Sequence, residues 1–234
     1  TMLNPDSWEG WYWGAMHHYG HSMRNGAAEI YGQVEDCLQE AEMIVFWSSD
    51  PEVTNGVYGS FEGTVRRQWA KELGIEMIHI DPFFNETAAF LGGKWIAPRP
   101  TTSPALAQAI THVWIKEELY DSEYVERCTT GFKKWAAYIL GEDEEGIERT
   151  PEWAEEETGV PSREIRALAR KWAAKKTYLS AGGMGTTLGG ACRSATGAQW
   201  ARSMICLMAM QGLGKPGINF GGLQFGSPID YNFY

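Results

Sequence analysis

Asp6, Ser7 and Trp8 place a carboxylate, a hydroxyl and an indole in consecutive positions, and Trp11, Tyr12 and Trp13 follow after Glu9 and Gly10. So dense a cluster of rings is expensive to leave in water. Ser7 lacks the G-x-S-x-G context of a hydrolase nucleophile. The rings could pack a core, stack on a sugar or wall an active site, and the run alone leaves all three open. Further on, His17 and His21 form an i,i+4 pair of the kind that ligates a metal. No acidic partner stands at matching spacing, which favours surface or supporting roles for His17, His18 and His21.

A second group of polar residues sits where short apolar runs end. Met43-Ile44-Val45-Phe46-Trp47 reads as a buried parallel strand, followed by Ser48, Ser49 and Asp50, with Thr54 and Asn55 beyond. Glu76 to Pro82 is a second strand with Asp81 near its carboxyl end. Tyr178 to Ala181 is a third, running into the loop Gly182-Gly183-Met184-Gly185-Thr186-Thr187. Glycines there let a backbone approach a ligand and aim N–H groups at phosphate oxygens. Asp81 can accept hydrogen bonds from ribose hydroxyls or a base edge. The three strand ends should converge on a nucleotide or dinucleotide. The nicotinamide fingerprint is absent: no G-x-G-x-x-G follows a strand, and Asp81 comes roughly thirty residues after the first strand instead of about twenty.

The elements that must position these groups alternate in type. A helix over Phe61 to Leu73, with Val65, Trp69 and Leu73 at four-residue spacing, links the first two strands as a βαβ unit with a right-handed crossover. Helices follow over Ser103 to Lys116 and Asp121 to Cys128, then an acidic surface connector, Gly141 to Glu148. Ser162 reads as an N-cap before Ile165, Leu168, Ala169 and Trp172. A long helix, Ser194 to Met210, ends at Gly212, Gly214 and Pro216. Trp69, Trp172 and Trp200 fall at core spacing. The fold class is α/β, a three-layer α-β-α arrangement with a mainly parallel, Rossmann-like sheet, and ligands of such sheets bind beyond the carboxyl ends of the strands.

Composition narrows the partners. The 234 residues carry a net charge of −10 and a pI near 5.0, so the global field repels nucleic acid and anionic membranes. A polyanionic ligand needs backbone N–H groups or a few local cations. Cys37, Cys128, Cys192 and Cys206 form no C-x-x-C pair, which disfavours a zinc or iron–sulfur site within the chain and suits small core residues in a reducing compartment. No apolar run reaches the roughly 18 residues of a membrane span. Thr1 is not an initiator, and the chain reads as an excerpt of a larger multidomain subunit, cytoplasmic because no export signal is visible.

The ordered motifs resemble the molybdopterin oxidoreductases of the dimethyl sulfoxide reductase and formate dehydrogenase type. "EAEMIVFWSSDPEVTN" is similar to that family's first strand and loop, and "KELGIEMIHIDPFFNETA" to its second strand with D-P-R-x-x-E-T-A. "EELYDSEYVERCTTGF", "ETGVPSREIRALARKWA", "GGMGTTLGG" and "LMAMQGLGKPGINFGG" follow in the family's order. The resemblance implies one domain over 1–234 that binds molybdopterin guanine dinucleotide, with a metal-ligand loop and helix in 1–40, a first βαβ part in 41–140 and a pterin-contacting part with a closing loop in 141–234. It implies molybdenum held by two molybdopterin guanine dinucleotides and by Ser7, whose alkoxide is a hard ligand suited to a high-valent metal. Asp6 would then flank the metal and Trp8 the substrate. Ser48, Ser49, Asp50, Thr54, Asn55, Asp81, Gly183, Met184, Gly185 and Gln224 would contact the cofactor. Phe83 departs from the family's usual Arg. A Ser flanked by Asp and Trp is most similar to family members that move a hydroxyl group between phenolic rings. That likeness implies a small aromatic substrate and an electron-transfer subunit carrying the iron–sulfur clusters, alongside the remainder of the same polypeptide. An oxotransferase reducing an S-oxide or N-oxide and a Trp-rich non-catalytic binding domain are the alternatives.

Overall fold

The structure is a computed structural model and describes residues 9–20, 33–53, 60–181 and 190–221. Helices α1 (Glu9–Tyr19) and α2 (Gln33–Glu40) precede β1 (Met43–Trp47), all of whose side chains are buried. Helix α3 (Ser60–Glu72) then crosses to β2 (Glu76–Ile80), and α4 (Glu86–Leu91) to the short β3 (Lys94–Ile96). A helical stretch follows: α5 (Ser103–Lys116), α6 (Ser122–Cys128), α7 (Phe132–Leu140), α8 (Pro151–Thr158) and α9 (Ser162–Ala173). The chain returns to the sheet in β4 (Thr177–Ser180), and α10 (Gly197–Met210) leads to β5 (Phe220–Gly221).

The five strands form one sheet in the order β3-β2-β1-β4-β5, every pair parallel. Parallel strands need covered faces, and the alternation of side chains along β1 shows both covers. Met43, Val45 and Trp47 join the larger core with α5, α9 and α10, while Ile44 and Phe46 join a smaller one with Cys37 of α2, Ala70 of α3 and Leu91 of α4. The expected three-layer α-β-α architecture is therefore present. Strand order reverses between β1 and β4, where adjacent loops diverge to opposite faces and leave a crevice.

Tryptophan fills the larger core. Trp172 packs edge-on against Trp114, with ring centroids 5.7 Å apart, and lies 6.3 Å from Trp47. Two indole N–H groups there have partners: Trp114 donates to the carbonyl of Ala169 at 2.8 Å and Trp47 to the Ser103 hydroxyl at 3.2 Å. Trp200 is equally buried.

The elements differ from expectation in informative places. Helix α5 has the anticipated ends, and Asp121 caps α6 by accepting from the backbone N–H of Tyr124 at 3.0 Å. Ser162 is not the N-cap of α9: Pro161 holds that position, and the Ser162 N–H donates to Glu155. Helix α10 begins at Gly197 because the preceding residues make a tight 3-10 turn, Gly190–Arg193. The apolar stripe of α3 faces outward, with Trp69 half exposed, so Trp69 is not a core residue. The inner face of that helix is instead Gly63, Arg67 and Ala70. Cys128 is exposed, whereas Cys37 and Cys192 are buried as expected of small core residues.

Candidate functional site

A cleft of roughly 640 Å³ opens at the carboxyl ends of the strands. Ser48 and Asp50 reach it from the end of β1, Asp81 and Phe83 from the end of β2, and Arg193 and Ser194 from the turn before α10. Thus the first two predicted strand ends meet in one cleft. The third contributes through its neighbours: the Ser180 hydroxyl lies 3.3 Å from that of Ser49, and Arg193 follows soon after the glycine loop.

Local backbone aims these groups. Ser48 adopts a left-handed conformation with φ 49°, unusual for a residue with a side chain, while its N–H donates to the Ile80 carbonyl at 2.7 Å. Strain of this kind is kept where surrounding contacts over-determine it, and it gathers at ligand sites. The Ser49 side chain turns inward, buried against Ser180. Asp50 accepts at one oxygen from both the N–H and the hydroxyl of Thr87, at 3.0 and 2.6 Å. Asp81 accepts from the Phe83 N–H at 3.2 Å and from the Asn85 amide at 3.3 Å. Asn85 is fixed in turn as the N-cap of α4, accepting from the Ala88 N–H at 2.9 Å.

Burial raises the Asp81 pKa from its ordinary value, and Asp50 nearby adds to the rise. The two hydrogen bonds that favour the charged form only partly oppose it. Across the cleft stands Arg193, the single cation among its described lining residues. A carboxylate acceptor, hydroxyls, an exposed aromatic ring at Phe83 and one guanidinium together suit a ligand with hydroxyl or amide donors at one end and an anion at another.

Sequence reading missed Arg193. Its signal was present: it is the first cation after the glycine-rich loop, in a chain whose net charge demands a local cation for any polyanion. Thr101, at the mouth of the same cleft, has a left-handed φ of 72° and also carried no pattern.

Other predicted residues are placed as follows. Asp6, Ser7, Trp8, Thr54, Asn55, Gly183, Met184, Gly185 and Gln224 lie outside the described residues, as does His21. Trp13 on α1 is half exposed. His17 Nδ1 accepts from Arg202 Nη2 at 3.1 Å, and burial with Arg202 and His17 nearby lowers the pKa of His18. Among the described residues no group of three His, Cys, Asp or Glu could hold a metal ion. Burial pushes the Cys206 thiol up to about 12, so it is no thiolate at neutral pH.

One contact relates the start of α1 to the cleft. Gly10 lies so close to the Cys192 carbonyl that a Cβ there would collide with it, and Gly14 is equally close to Ala198. The absence of side chains at Gly10 and Gly14 thus seats α1 on α10. Residue 9 therefore begins a helix packed beside Arg193, which lines the cleft.

Comparison with known proteins places this geometry. The molybdopterin oxidoreductase family model matches residues 10–230. The chain is 55% identical over 231 residues to the pyrogallol hydroxytransferase large subunit of Pelobacter acidigallici, covering 99% of this chain and 26% of that one. It is 37% identical over 166 residues to a dimethyl sulfoxide/trimethylamine N-oxide reductase of Cereibacter sphaeroides, covering 67% of this chain and 20% of that one. Acetylene hydratase from Pelobacter acetylenicus shares the fold, with a TM-score of 0.59 at 18% identity over 80% of this chain and 25% of that one. The chain spans about a quarter of the length of the curated relatives it matches. With a family-model match over residues 10–230 and 55% identity to a relative over 99% of its length, the chain belongs to the molybdopterin oxidoreductase family.

Proposed function

We propose that the chain is the guanine-dinucleotide-binding portion of a molybdenum enzyme that converts pyrogallol into phloroglucinol by moving a hydroxyl group between phenolic rings, with no net redox change. The observation that carries this reading is the 55% identity to a pyrogallol hydroxytransferase large subunit, spread over 99% of the chain.

The cleft fits the nucleotide end of such a cofactor. Asp81 offers an acceptor for ribose hydroxyls or the N–H edge of a base, Ser48 and Asp50 add oxygens beside it, and Arg193 offers charge-assisted hydrogen bonds to phosphate. Ser49 braces the loop from behind through Ser180. Thr54, Asn55, Gly183, Met184, Gly185 and Gln224 complete the contacts in this assignment. When bound, molybdenum with its two pterins supplies the oxidation and reduction of the oxygen transfer. The protein's own part is to hold and to move protons. Ser7 provides the oxygen ligand, Asp6 takes or gives the proton of a substrate hydroxyl, and Trp8 walls the ring in. The packing of α1 against the turn beside Arg193 supports bringing this segment to the same cleft. The relative's designation as a large subunit supports a second subunit, and we assign to it the iron–sulfur clusters.

Metal and nucleotide analysis of the full-length protein, with assays of both chemistries, tests the reading. Molybdenum and guanine nucleotide in a ratio of about one to two, with hydroxyl transfer between phenols, is the expected result. Reduction of dimethyl sulfoxide without transfer between phenols would replace it by the oxotransferase reading, which the 37% identical reductase favours. Absence of both metal and nucleotide would leave a Trp-rich binding domain. Asp6→Asn should keep the metal and slow turnover by roughly a hundredfold.

A further inference from the structure

We propose that Thr87, on the first turn of α4, is a positioning residue whose hydroxyl fixes the ligand-facing loop that follows β1. The loop brings Ser48 and Asp50 to the cleft, with the backbone at Ser48 held in a left-handed turn. A conformation of that kind persists only when other contacts enforce it. The contacts converge on one oxygen atom. The Thr87 hydroxyl donates to Asp50 Oδ1 at 2.6 Å and accepts from the backbone N–H of Glu52 at 3.1 Å. The Thr87 N–H donates to the same Asp50 oxygen at 3.0 Å. One buried hydroxyl therefore uses both its donor and its acceptor capacity to join two residues of the loop to a helix start.

The other side of the loop is fixed from α3. Glu52 accepts from the Thr64 hydroxyl at 2.8 Å and from Arg67 Nε at 2.6 Å, and Arg67 Nη2 also donates to Thr64 at 3.2 Å. Arg67 is only 1% exposed. A buried ion pair adds little net stability over apolar side chains of the same volume, so its value here is geometric. Loop, α3 and α4 are thereby locked together, with Thr87 at the junction. The same helix start orients Asp81, through the Asn85 amide. Thr87 does not line the cleft; it acts on the ligand through Asp50. Its effect on cofactor binding rests on the reading that the cleft takes the guanine dinucleotide, since a loop already in place spares the cost of ordering it on binding.

Full-length protein carrying Thr87→Val, which keeps the shape and removes the hydroxyl, is compared with Thr87→Ser, which keeps the hydroxyl. Amide hydrogen exchange in 48–53 should accelerate roughly tenfold in the Val variant, the size expected for a lost buried hydrogen bond, and stay near the parent rate in the Ser variant. Exchange in β2 should stay unchanged in both, a readout that general destabilisation would move. Guanine nucleotide retained after purification should fall by a similar factor in the Val variant and return with Ser. Parent-like exchange or retention in the Val variant overturns the proposal, as does a Ser variant as impaired as Val. If Thr87→Val does not fold, Thr87→Ala is read by the same criteria. A parent protein without guanine nucleotide would sink the cofactor reading, while the exchange result would still decide the role of Thr87.

Discussion

The two faces of the sheet are built on opposite principles. Toward α5, α9 and α10 the interior is apolar and indole-rich, with Trp47, Trp114, Trp172 and Trp200 fully buried. Toward α2, α3 and α4 the apolar cluster is small, and the buried groups include Arg67, His79, Asn85 and Thr87. Both faces are served by the same five residues of β1, whose side chains alternate between them. Apolar burial without direction gives stability; hydrogen bonds with direction give shape. The loop at the end of β1 is held from the polar face, so the region that contributes least to the core sets the conformation of the cleft.

The largest effect should come from the apolar face. Trp172→Ala removes a fully buried indole that touches both Trp114 and Trp47, at a cost of about 3–5 kcal/mol, or roughly a 10 °C fall in the thermal midpoint. A fall of only a degree or two would show that face to be loosely packed and would erase the contrast. Next comes the polar face. Arg67→Met leaves the Glu52 carboxylate without its cation and should cost about 2–3 kcal/mol, below the figure for a fully buried pair because Glu52 is 13% exposed. Pairing it with Glu52→Leu should recover most of that stability in urea titration. Failure of the double variant to recover would mean the pair stabilises the fold as well as shaping the loop.

The difference between the faces also decides what the sequence disclosed. Strands β1, β2 and β4 were legible as short apolar runs, and α9 as a periodic stripe, because burial on the apolar face imposes hydrophobic spacing. Helix α3 was read with the wrong side inward. Val65, Trp69 and Leu73 have the spacing of a core stripe, but the inner face is Gly63, Arg67 and Ala70, which makes sense only once Glu52 supplies the partner of Arg67. Strand β3 has three residues, two of them exposed, α7 starts after Gly131 with neither an acidic first turn nor a side-chain cap to mark it, and α8 carries no long apolar run. For the site, Ser48, Asp50 and Asp81 were legible as polar residues at strand ends. Thr101 was not, since loop residues obey no period and meet the cleft only through the fold, and Arg193 left only the weak signal of being the first cation after the glycine-rich loop.

Asp81 carries the comparison into pH. Burial is the main cause that raises its pKa, so the folded state holds this proton more tightly than the unfolded chain does. The stability this contributes is fully present below the unfolded carboxylate value and is lost as pH rises through the folded value. Asp81→Asn removes the charged form, and should therefore raise the urea midpoint at neutral pH and lose that advantage at about pH 4 and below. The gain should be smaller than either loss above. A neutral-pH loss instead would mean that the ionised carboxylate is favoured where it stands.

The smallest effect should come from the outward stripe of α3. Val65, Trp69 and Leu73 are 44%, 50% and 63% exposed, so Trp69→Ser removes an indole that is half in water already. In the 234-residue chain the change in the unfolding free energy should stay within about 0.5 kcal/mol, the range of ordinary surface substitutions. A loss above about 1 kcal/mol would show the stripe to be packed and the two faces to be more alike than their buried residues indicate. The same substitution in a longer polypeptide sharpens the point. The chain spans about a quarter of the length of its relatives, and a stripe of three large apolar side chains is a surface that water does not favour. A cost that appears only in the longer polypeptide would locate additional chain over α3, on the face whose inner side already holds the Glu52 clamp, and would couple the cleft-shaping loop to whatever sits there.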